Sequence, residues 1–207
     1  MADFPINKNG FWESTDSSGH LYDKTLSNAI SSFFKNENAE SIIDLGCGTG
    51  SYVRALMENG FKCDGYDGNP NTVLITNGIG KVLDFSIPLN LNKKYDWLLS
   101  LEVGEHIPEE FEKIFLDNMI HHAMDGIIVS WGIPGQKGDG HVNCKSNSYI
   151  IRQMKKRGWK YDQSSAKKLR NEATFGWFKN TIMVFRKIEE TKNIFQMMQL
   201  FFTRKTI

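Results

Sequence analysis

The sequence is poor in cysteine and has no long apolar run. Its three cysteines, Cys47, Cys63 and Cys144, have spacings typical of neither a disulfide framework nor a cysteine zinc site. No apolar stretch approaches the roughly 20 residues that span a bilayer, and the first residues show no signal-peptide core. These absences predict a cytoplasmic protein that does not associate with a membrane.

The chain also lacks an excess of charge of either sign. Its 207 residues carry a formal net charge of +1, with 40% hydrophobic and 24% charged residues, as is ordinary for a globular protein. Eight Lys or Arg residues lie between Arg152 and Arg170 against one acid. That run could attract an anionic substrate or form a solvated helix face, and near-neutral charge favours the second interpretation. Nucleic-acid binding is therefore unsupported, without being excluded.

A glycine-rich stretch follows a short apolar run, Ser41 to Ile43, and opens into a helix-like segment, Ser51 to Asn59. It reads Asp44-Leu45-Gly46-Cys47-Gly48-Thr49-Gly50. Glycines allow positive φ and let a ligand lie against bare backbone. A glycine turn feeding a helix N-terminus in a β-α-β unit is typical of nucleotide and nucleoside sites, where a later carboxylate such as Asp67 can bind a ribose diol.

The glycine spacing distinguishes two kinds of ligand. A dinucleotide fingerprint requires G-x-G-x-x-G, but Ser51 occupies the third glycine position and the pattern is G-x-G-x-G. The stretch resembles the first motif of class I S-adenosylmethionine-dependent methyltransferases. That resemblance implies that S-adenosyl-L-methionine is the cofactor, that S-adenosyl-L-homocysteine is the product, and that the methionine end passes over the glycines.

Three later segments extend the resemblance, which covers residues 40–131 well. The second strand ends at Asp67, the third near Asp84 and Phe85, and the fourth at Leu101-Glu102, before a Glu105-His106-Ile107-Pro108 segment like the E-H-x-P of many small-molecule enzymes. The resemblance implies ribose binding at Asp67, adenine binding at Asp84 and Phe85, and cofactor contact at Glu102. The full set of predicted cofactor-binding residues is Asp44, Gly46, Cys47, Gly48, Gly50, Asp67, Gly68, Asn69, Asp84, Phe85, Leu101 and Glu102.

Apolar segments alternate with helical patterns along most of the chain, which predicts a parallel sheet covered on both faces. We expect strands at 41–45, 62–66, 79–83, 95–101, 126–131, 159–162 and 181–187, with helices at about 22–35, 51–59, from 108 and at 148–157. Residues 132–147 and 163–180 are expected to be variable loops. With the resemblance, this is an α/β, Rossmann-like class I methyltransferase fold of seven strands, mostly parallel, whose last strand is antiparallel.

The domain prediction is a single methyltransferase domain, residues 1–207. It divides into an N-terminal lid or outer helix at 1–38, a Rossmann-like core at 39–188 and a C-terminal helix at 189–207. The apolar face of that last helix could dock on the same chain, which is the favoured interpretation, or on a second subunit. We therefore expect a monomer or a homodimer.

Two histidines are candidate general bases. His106 follows the fourth strand and His141 lies in a glycine-rich loop after the fifth, so both belong to the carboxyl edge where open α/β sheets bind ligands. A neutral imidazole is suited to accepting a hydroxyl proton near pH 7. His106 could instead brace the next helix, and His141 could lie in an ordinary surface loop. His20 could also reach the site from the lid.

The predicted reaction is O-methylation of a small molecule or of a sugar or glycan hydroxyl. Relatives that methylate an amino group of adenine or glutamine commonly carry an N-P-P-Y-like segment after the fourth strand, where this chain has Leu101 to His106. No spaced His/Asp/Glu set calls for a metal, so we expect none. Two alternatives remain open: methylation of a nucleic acid or protein, and a catalytically silent partner subunit that keeps the fold.

Overall fold

In a computed structural model that describes residues 5–188, helices and strands alternate along the chain. The strands are β1 (Ser41–Leu45), β2 (Lys62–Asp67), β3 (Gly80–Val82), β4 (Tyr95–Leu101), β5 (Ala123–Ser130), β6 (Trp159–Tyr161) and β7 (Met183–Lys187). The helices are α1 (Lys24–Asn36), α2 (Ser51–Glu58), α3 (Thr72–Ile75), α4 (Glu109–His122), α5 (Asn147–Lys156), α6 (Gln163–Glu172) and α7 (Gly176–Thr181).

The seven strands form one sheet in the order β3-β2-β1-β4-β5-β7-β6. The first five strands pair in parallel, whereas β7 runs antiparallel to both β5 and β6. Helices α2, α3 and α4 join β1 to β2, β2 to β3 and β4 to β5, and a helix is the usual connection between parallel neighbours. The predicted seven-stranded, mostly parallel sheet with an antiparallel last strand is confirmed.

The sheet is buried on both faces because successive side chains of each strand point in opposite directions. Ile43 and Leu98 belong to one hydrophobic cluster, whereas their neighbours Ile42 and Trp97 belong to the other. Helices α4 and α5 supply residues to the first cluster, and α1, α2 and α6 supply residues to the second. Such near-continuous apolar strands are typical of parallel sheets covered by helices.

Local signals explain where several helices begin. Asp23 accepts a hydrogen bond from the N–H of Leu26 at the start of α1, and Ser146 accepts one from Tyr149 at the start of α5. Helix α4 begins just after Pro108 and carries three acids in its first turn, where the helix dipole favours negative charge. The predicted starts of these helices therefore lie within two residues of the observed ones.

Residues 163–180 differ from the sequence-based expectation of a variable loop. They form α6, which Asp162 caps through the N–H of Ser165, and α7. In α6 only Ala166 and Leu169 are buried, so its apolar stripe is too sparse to predict a helix from periodicity. The short α3 was likewise not predicted.

The predicted C-terminal helix at 189–207 lies outside the described residues. Within residues 5–188, no helix has the length and apolar character needed to cross a membrane.

Candidate active site

A cavity of about 450 Å³ opens at the carboxyl edge of the sheet, next to the point where β1 has β2 on one side and β4 on the other. Open α/β sheets bind ligands at such a switch point. The loops after β1, β2, β4 and β5 contribute to its walls, as does the N-terminal segment. Of the residues predicted to form the site, those that line the cavity are Asp44, Gly46, Cys47, Gly48, Asp67, Gly68, Asn69, Phe85, Leu101, Glu102, His106 and His141.

The glycine turn after β1 brings bare backbone to the cavity. The N–H groups of Gly46 and Cys47 both donate to the carbonyl of Tyr66, at 2.8 and 3.0 Å, which fixes the turn to the end of β2. Gly46 has a φ of 91°, and a Cβ there would lie 2.1 Å from a methyl carbon of Val103. A side chain at this position is therefore excluded both by backbone conformation and by space.

Asp67, at the end of β2, ties two loops together. Its Oδ2 accepts from the N–H of Gly48 at 2.9 Å, and its Oδ1 accepts from the N–H of Asn69 at 2.9 Å. An ionised carboxylate has about four lone-pair sites, so acceptor capacity remains for a ligand hydroxyl. Asp67 thus both shapes the glycine turn and presents oxygen atoms to the cavity.

Asp44 carries a carboxyl group that is almost fully buried, with 3% of its surface exposed. Burial raises its pKa to about 8, and the negative charge of Asp67 adds to the shift. Ionising a buried carboxyl group is favourable only beside a positive charge or hydrogen-bond donors. This part of the cavity therefore suits a ligand group that carries positive charge.

Asp84 and Gly50 are the two predicted cofactor-binding residues that do not line the cavity. The carboxylate of Asp84 accepts from Asn9 Nδ2 at 2.8 Å and from the N–H and hydroxyl of Ser86 at 2.8 and 2.6 Å. Gly50, with a φ of 74°, is the N-cap of α2. Phe85, in contrast, lines the cavity and packs against Phe115 behind it.

Residues 9–12 and 19–22 of the N-terminal segment line one side of the cavity. His20 lies against Gly48, where a Cβ would come within 2.4 Å of its ring, and Phe11 lies against Gly68 in the same way. The ring of Trp12 contacts both His20 and His106, at centroid distances of 4.9 and 5.8 Å. These aromatic contacts have no sequence periodicity, so only the fold reveals them.

The loop after β4 begins with a strained residue. Glu102 has a φ of 55°, an uncommon conformation for a residue other than glycine. Its carboxylate accepts from the side chains of Gln136 and Thr181, and its N–H donates to the hydroxyl of Ser130. The side chain that the resemblance assigns to the cofactor is thus held by hydrogen bonds from two other segments, and its backbone is held by a third.

Glu105 joins the two candidate histidines through its backbone. Its carbonyl accepts from the N–H groups of Val142 and Asn143, at 2.9 and 2.8 Å, which fixes the glycine-rich loop beside it. His141 Nε2 consequently lies 4.0 Å from Glu105 Oε1, and the rings of His106 and His141 are 4.9 Å apart. One ligand atom from each of Glu105, His106 and His141 falls within 4.8 Å of the others.

Burial controls the protonation of this cluster. Together with the nearby His141, it lowers the pKa of His106 to about 4. Burial also raises the pKa of Glu105 well above its ordinary value, with the charge of Glu102 adding to the rise. His106 is therefore a neutral imidazole at pH 7. Sequence analysis named both histidines but missed Glu105, whose position directly before His106 was the available signal.

With this geometry established, comparison with known proteins gives the family. The sequence model of a methyltransferase domain matches residues 19–129, which is more than half of the chain. The chain belongs to this methyltransferase family. It is an S-adenosylmethionine-dependent enzyme with the class I fold, and the family resemblance predicted from the sequence is confirmed. No curated protein matches the sequence.

Solved structures of low sequence identity share the fold. A magnesium protoporphyrin IX methyltransferase from Synechocystis PCC 6803, with bound S-adenosylhomocysteine, is 16% identical, with 78% of this chain and 81% of that chain covered and a TM-score of 0.61. A sugar N-methyltransferase from Streptoalloteichus is 12% identical, with 84% and 89% covered and a TM-score of 0.64. A glycopeptide N-methyltransferase with S-adenosylmethionine is 10% identical, with 83% and 98% covered and a TM-score of 0.58.

Proposed function

We propose that the enzyme methylates a hydroxyl oxygen of a small molecule or of a sugar or glycan. The observation that carries this proposal is a pair of half-buried imidazole rings on the wall of the cavity, of which that of His106 is neutral at pH 7 because its pKa is lowered to about 4. A hydroxyl must lose its proton as it gains a methyl group, and a neutral imidazole is suited to accept that proton. The absence of an N-P-P-Y-like segment after Leu101 supports oxygen over nitrogen as the acceptor.

The donor end of the cavity consists of Asp44, the glycine turn 46–50 and the loop 67–69, with Phe85 beside them. When bound, S-adenosylmethionine supplies a methyl group already activated on a positively charged sulfur. In our proposal the glycine turn and Asp44 bind the charged methionine end, Asp67 accepts from the ribose hydroxyls, and Phe85 packs on the adenine. Asp84 acts on the cofactor site only indirectly, because it lies behind the cavity wall and accepts hydrogen bonds from Asn9 and Ser86. Leu101 and Glu102 complete the floor.

The acceptor end consists of Glu105, His106 and His141. The Nδ1 of His141 lies 3.1 Å from the carbonyl of Gln136. Because a carbonyl only accepts, the neutral ring has its hydrogen on Nδ1 and its lone pair on Nε2. His141 is thus ready to accept a proton at Nε2, and His106 is the second candidate base. Trp12 and Trp177 also line the cavity and offer flat apolar surfaces on which a sugar or aromatic acceptor can stack.

Positioning accounts for most of the rate enhancement that this arrangement can give. Holding two reactants in the reactive geometry contributes up to about 7–11 kcal/mol, whereas a general base adds about 10²–10⁴-fold. The covering segment 5–23 and the buried walls of the cavity serve the first purpose by excluding water. The histidines serve the second.

The alternative acceptors gain no support from the described residues. The basic run from Arg152 to Arg170 could suggest nucleic-acid binding. Within it, however, Arg157 donates to Asp117 and Arg170 donates to the carbonyl of Ile182, so these two side chains make contacts within the fold. The apolar stretch that could suggest a silent partner subunit lies beyond residue 188. The free thiols of Cys47, Cys63 and Cys144 fit a reducing compartment such as the cytoplasm.

An acceptor screen with isotopically labelled S-adenosylmethionine tests the proposal. Sugars and glycans come first, followed by phenols and carboxylic acids, with amines, RNA and unfolded protein as comparison acceptors. We expect label to enter a hydroxyl-bearing acceptor together with stoichiometric S-adenosylhomocysteine. Label that enters only amines, RNA or protein would contradict the proposal, and so would the absence of any acceptor-dependent turnover.

A further inference from the structure

The cluster of Glu105, His106 and His141 has an arrangement that proton transfer alone does not require. One potential ligand atom of each residue lies within 4.8 Å of the other two, and within residues 5–188 no other group of three His, Cys, Asp or Glu residues meets this condition. Ligand bonds of about 2.0–2.2 Å place neighbouring donor atoms roughly 3–3.5 Å apart around an ion. Small side-chain rotations would therefore bring all three to one ion.

Glu105 is the decisive member of this cluster. Its side chain has no exposed surface, and within residues 5–188 neither carboxylate oxygen makes a hydrogen bond of full geometry, although the backbone N–H groups of Glu105 and Gly132 lie near enough to lower its pKa. The ionised form of a buried carboxyl group with so few donors costs several kcal/mol. Proteins retain such a group where a positive charge compensates it, yet no Lys or Arg side chain among residues 5–188 forms an ion pair with Glu105.

The surroundings of His141 are those of a metal ligand. Its Nδ1–H donates to the carbonyl of Gln136, an outer hydrogen bond that fixes the tautomer and aims the Nε2 lone pair towards Glu105 Oε1, 4.0 Å away. Histidine ligands in metalloproteins almost always make such a bond with their second nitrogen. Glu102, whose negative charge acts on Glu105, adds a second carboxylate next to the cluster.

We propose that Glu105, His106 and His141 bind a divalent transition-metal ion. Two imidazoles and one carboxylate suit ions of the Mn²⁺, Co²⁺ and Zn²⁺ class better than Mg²⁺ or Ca²⁺, which prefer ligand sets made of oxygen. Three protein ligands leave coordination positions open. His106, His141 and Glu102 all line the cavity, so those positions face the space proposed for the acceptor.

This inference deepens the proposed function, on which its role in the reaction rests. A hydroxyl oxygen bound to a divalent ion loses its proton far more readily than in water. The histidines would then hold the ion, and the proton of the hydroxyl would pass to solvent. The sequence-based expectation of no metal failed to consider this site because Glu105 and His141 are 36 residues apart in the chain.

Calorimetric titration of Co²⁺ into chelator-treated protein, with any purification tag removed, tests the site. We expect one ion per chain in the wild type. Loss of an outer-shell partner typically weakens metal binding 10–100-fold, so loss of a direct ligand in Glu105→Gln or His141→Ala should weaken it by at least about 100-fold. His121→Ala, at an exposed position on α4, is the matched control and should bind like the wild type.

The thermal unfolding midpoint of each variant without metal checks that it is folded. Because burial raises the pKa of Glu105, glutamine resembles its neutral side chain, so we expect Glu105→Gln without metal to unfold near the wild-type temperature. Co²⁺ should raise the midpoints of the wild type and of His121→Ala, but not those of Glu105→Gln and His141→Ala. The inference is overturned if the wild type binds no Co²⁺. It is also overturned if Glu105→Gln and His141→Ala both bind Co²⁺ as tightly as the wild type does. Because neither methyl donor nor acceptor is present, that result would leave the proposed O-methylation standing, and a failed acceptor screen would leave the metal result standing.

Discussion

The donor end and the acceptor end of the cavity are built in different ways. At the donor end, Asp44 to Gly50 is one continuous stretch, and the carboxylate of Asp67 accepts a hydrogen bond from the N–H of Gly48 within it. At the acceptor end, His106 and His141 come from two loops, which are joined by hydrogen bonds from Val142 and Asn143 to the carbonyl of Glu105 and from Gln136 to Glu102. The donor end is therefore built mainly from one local stretch of backbone, whereas the acceptor end forms only when segments distant in the sequence come together.

The largest expected effect separates the two ends through turnover. His141→Ala removes either the proton acceptor or a metal ligand, so we expect the turnover number to fall about 10²–10⁴-fold while the dissociation constant of S-adenosylmethionine changes less than about twofold. Steady-state kinetics and calorimetry measure the two quantities. An equal loss in affinity for S-adenosylmethionine would mean that His141 belongs to the donor end. The proposed division of the cavity into a donor end and an acceptor end would then be wrong.

The next prediction uses two glycines of nearly equal backbone conformation. Gly46 has a φ of 91°, and a Cβ added there would lie 2.1 Å from Val103, whereas Gly60 has a φ of 93° and an added Cβ would meet nothing within 4 Å. Both Ala substitutions share a backbone strain of about 1–3 kcal/mol, but only Gly46→Ala also crowds the cavity. We expect donor affinity to fall about 100-fold in Gly46→Ala and to remain unchanged in Gly60→Ala, measured by calorimetry. Equal affinities would show that the turn does not contact the donor.

A third prediction ranks the two carboxylates of the donor end. Asp67 lines the cavity, whereas Asp84 is bonded to Asn9 and Ser86 outside it. A hydrogen bond to a charged group is worth about 1.5–3 kcal/mol, so Asp67→Ala should weaken S-adenosylmethionine binding roughly 10–100-fold. Asp84→Ala acts only through the cavity wall and should cost less than about tenfold. The reverse ranking would assign the direct contact to Asp84.

A fourth prediction for the donor end is a pH dependence that originates at Asp44. Its pKa of about 8 in the free protein means that it is mostly protonated at pH 6 to 7, and a cationic ligand favours the ionised form. Donor affinity should therefore rise by up to about tenfold per pH unit between pH 6 and 8 and level off above. Asp44→Asn removes this contribution while the ligand's own titration stays the same, so the difference between the two calorimetric profiles isolates Asp44.

The raised pKa of Asp44 also predicts how the free energy of unfolding changes with pH. Its pKa is higher in the folded than in the unfolded protein, so the folded state binds the proton more tightly. In the absence of ligand, the contribution of Asp44 to the free energy of unfolding is therefore complete below the pKa that Asp44 has in the unfolded protein. That contribution declines as the pH rises towards 8. Asp44→Asn should flatten that decline in the free energy of unfolding measured with urea.

Sequence patterns were sufficient for the regular part of the molecule. The seven strands and the glycine turn depend on runs of apolar residues and on glycine spacing, both of which are local. Helix α6 could not be predicted because it buries only Ala166 and Leu169. The position of Asp84 could not be predicted because it depends on Asn9, 75 residues away. Nor could the sequence pair Glu105 with His141, because α4 and β5 separate them and the loop that carries His141 has no periodicity.

A crystal structure of the complex with S-adenosylhomocysteine tests the central claim most directly. We predict that the amino-acid end of the ligand lies over the backbone of Gly46 to Gly48 and that a ribose hydroxyl is within hydrogen-bond distance of the Asp67 carboxylate. Ligand density elsewhere in the molecule, with the glycine turn and Asp67 free of contact, would contradict the account.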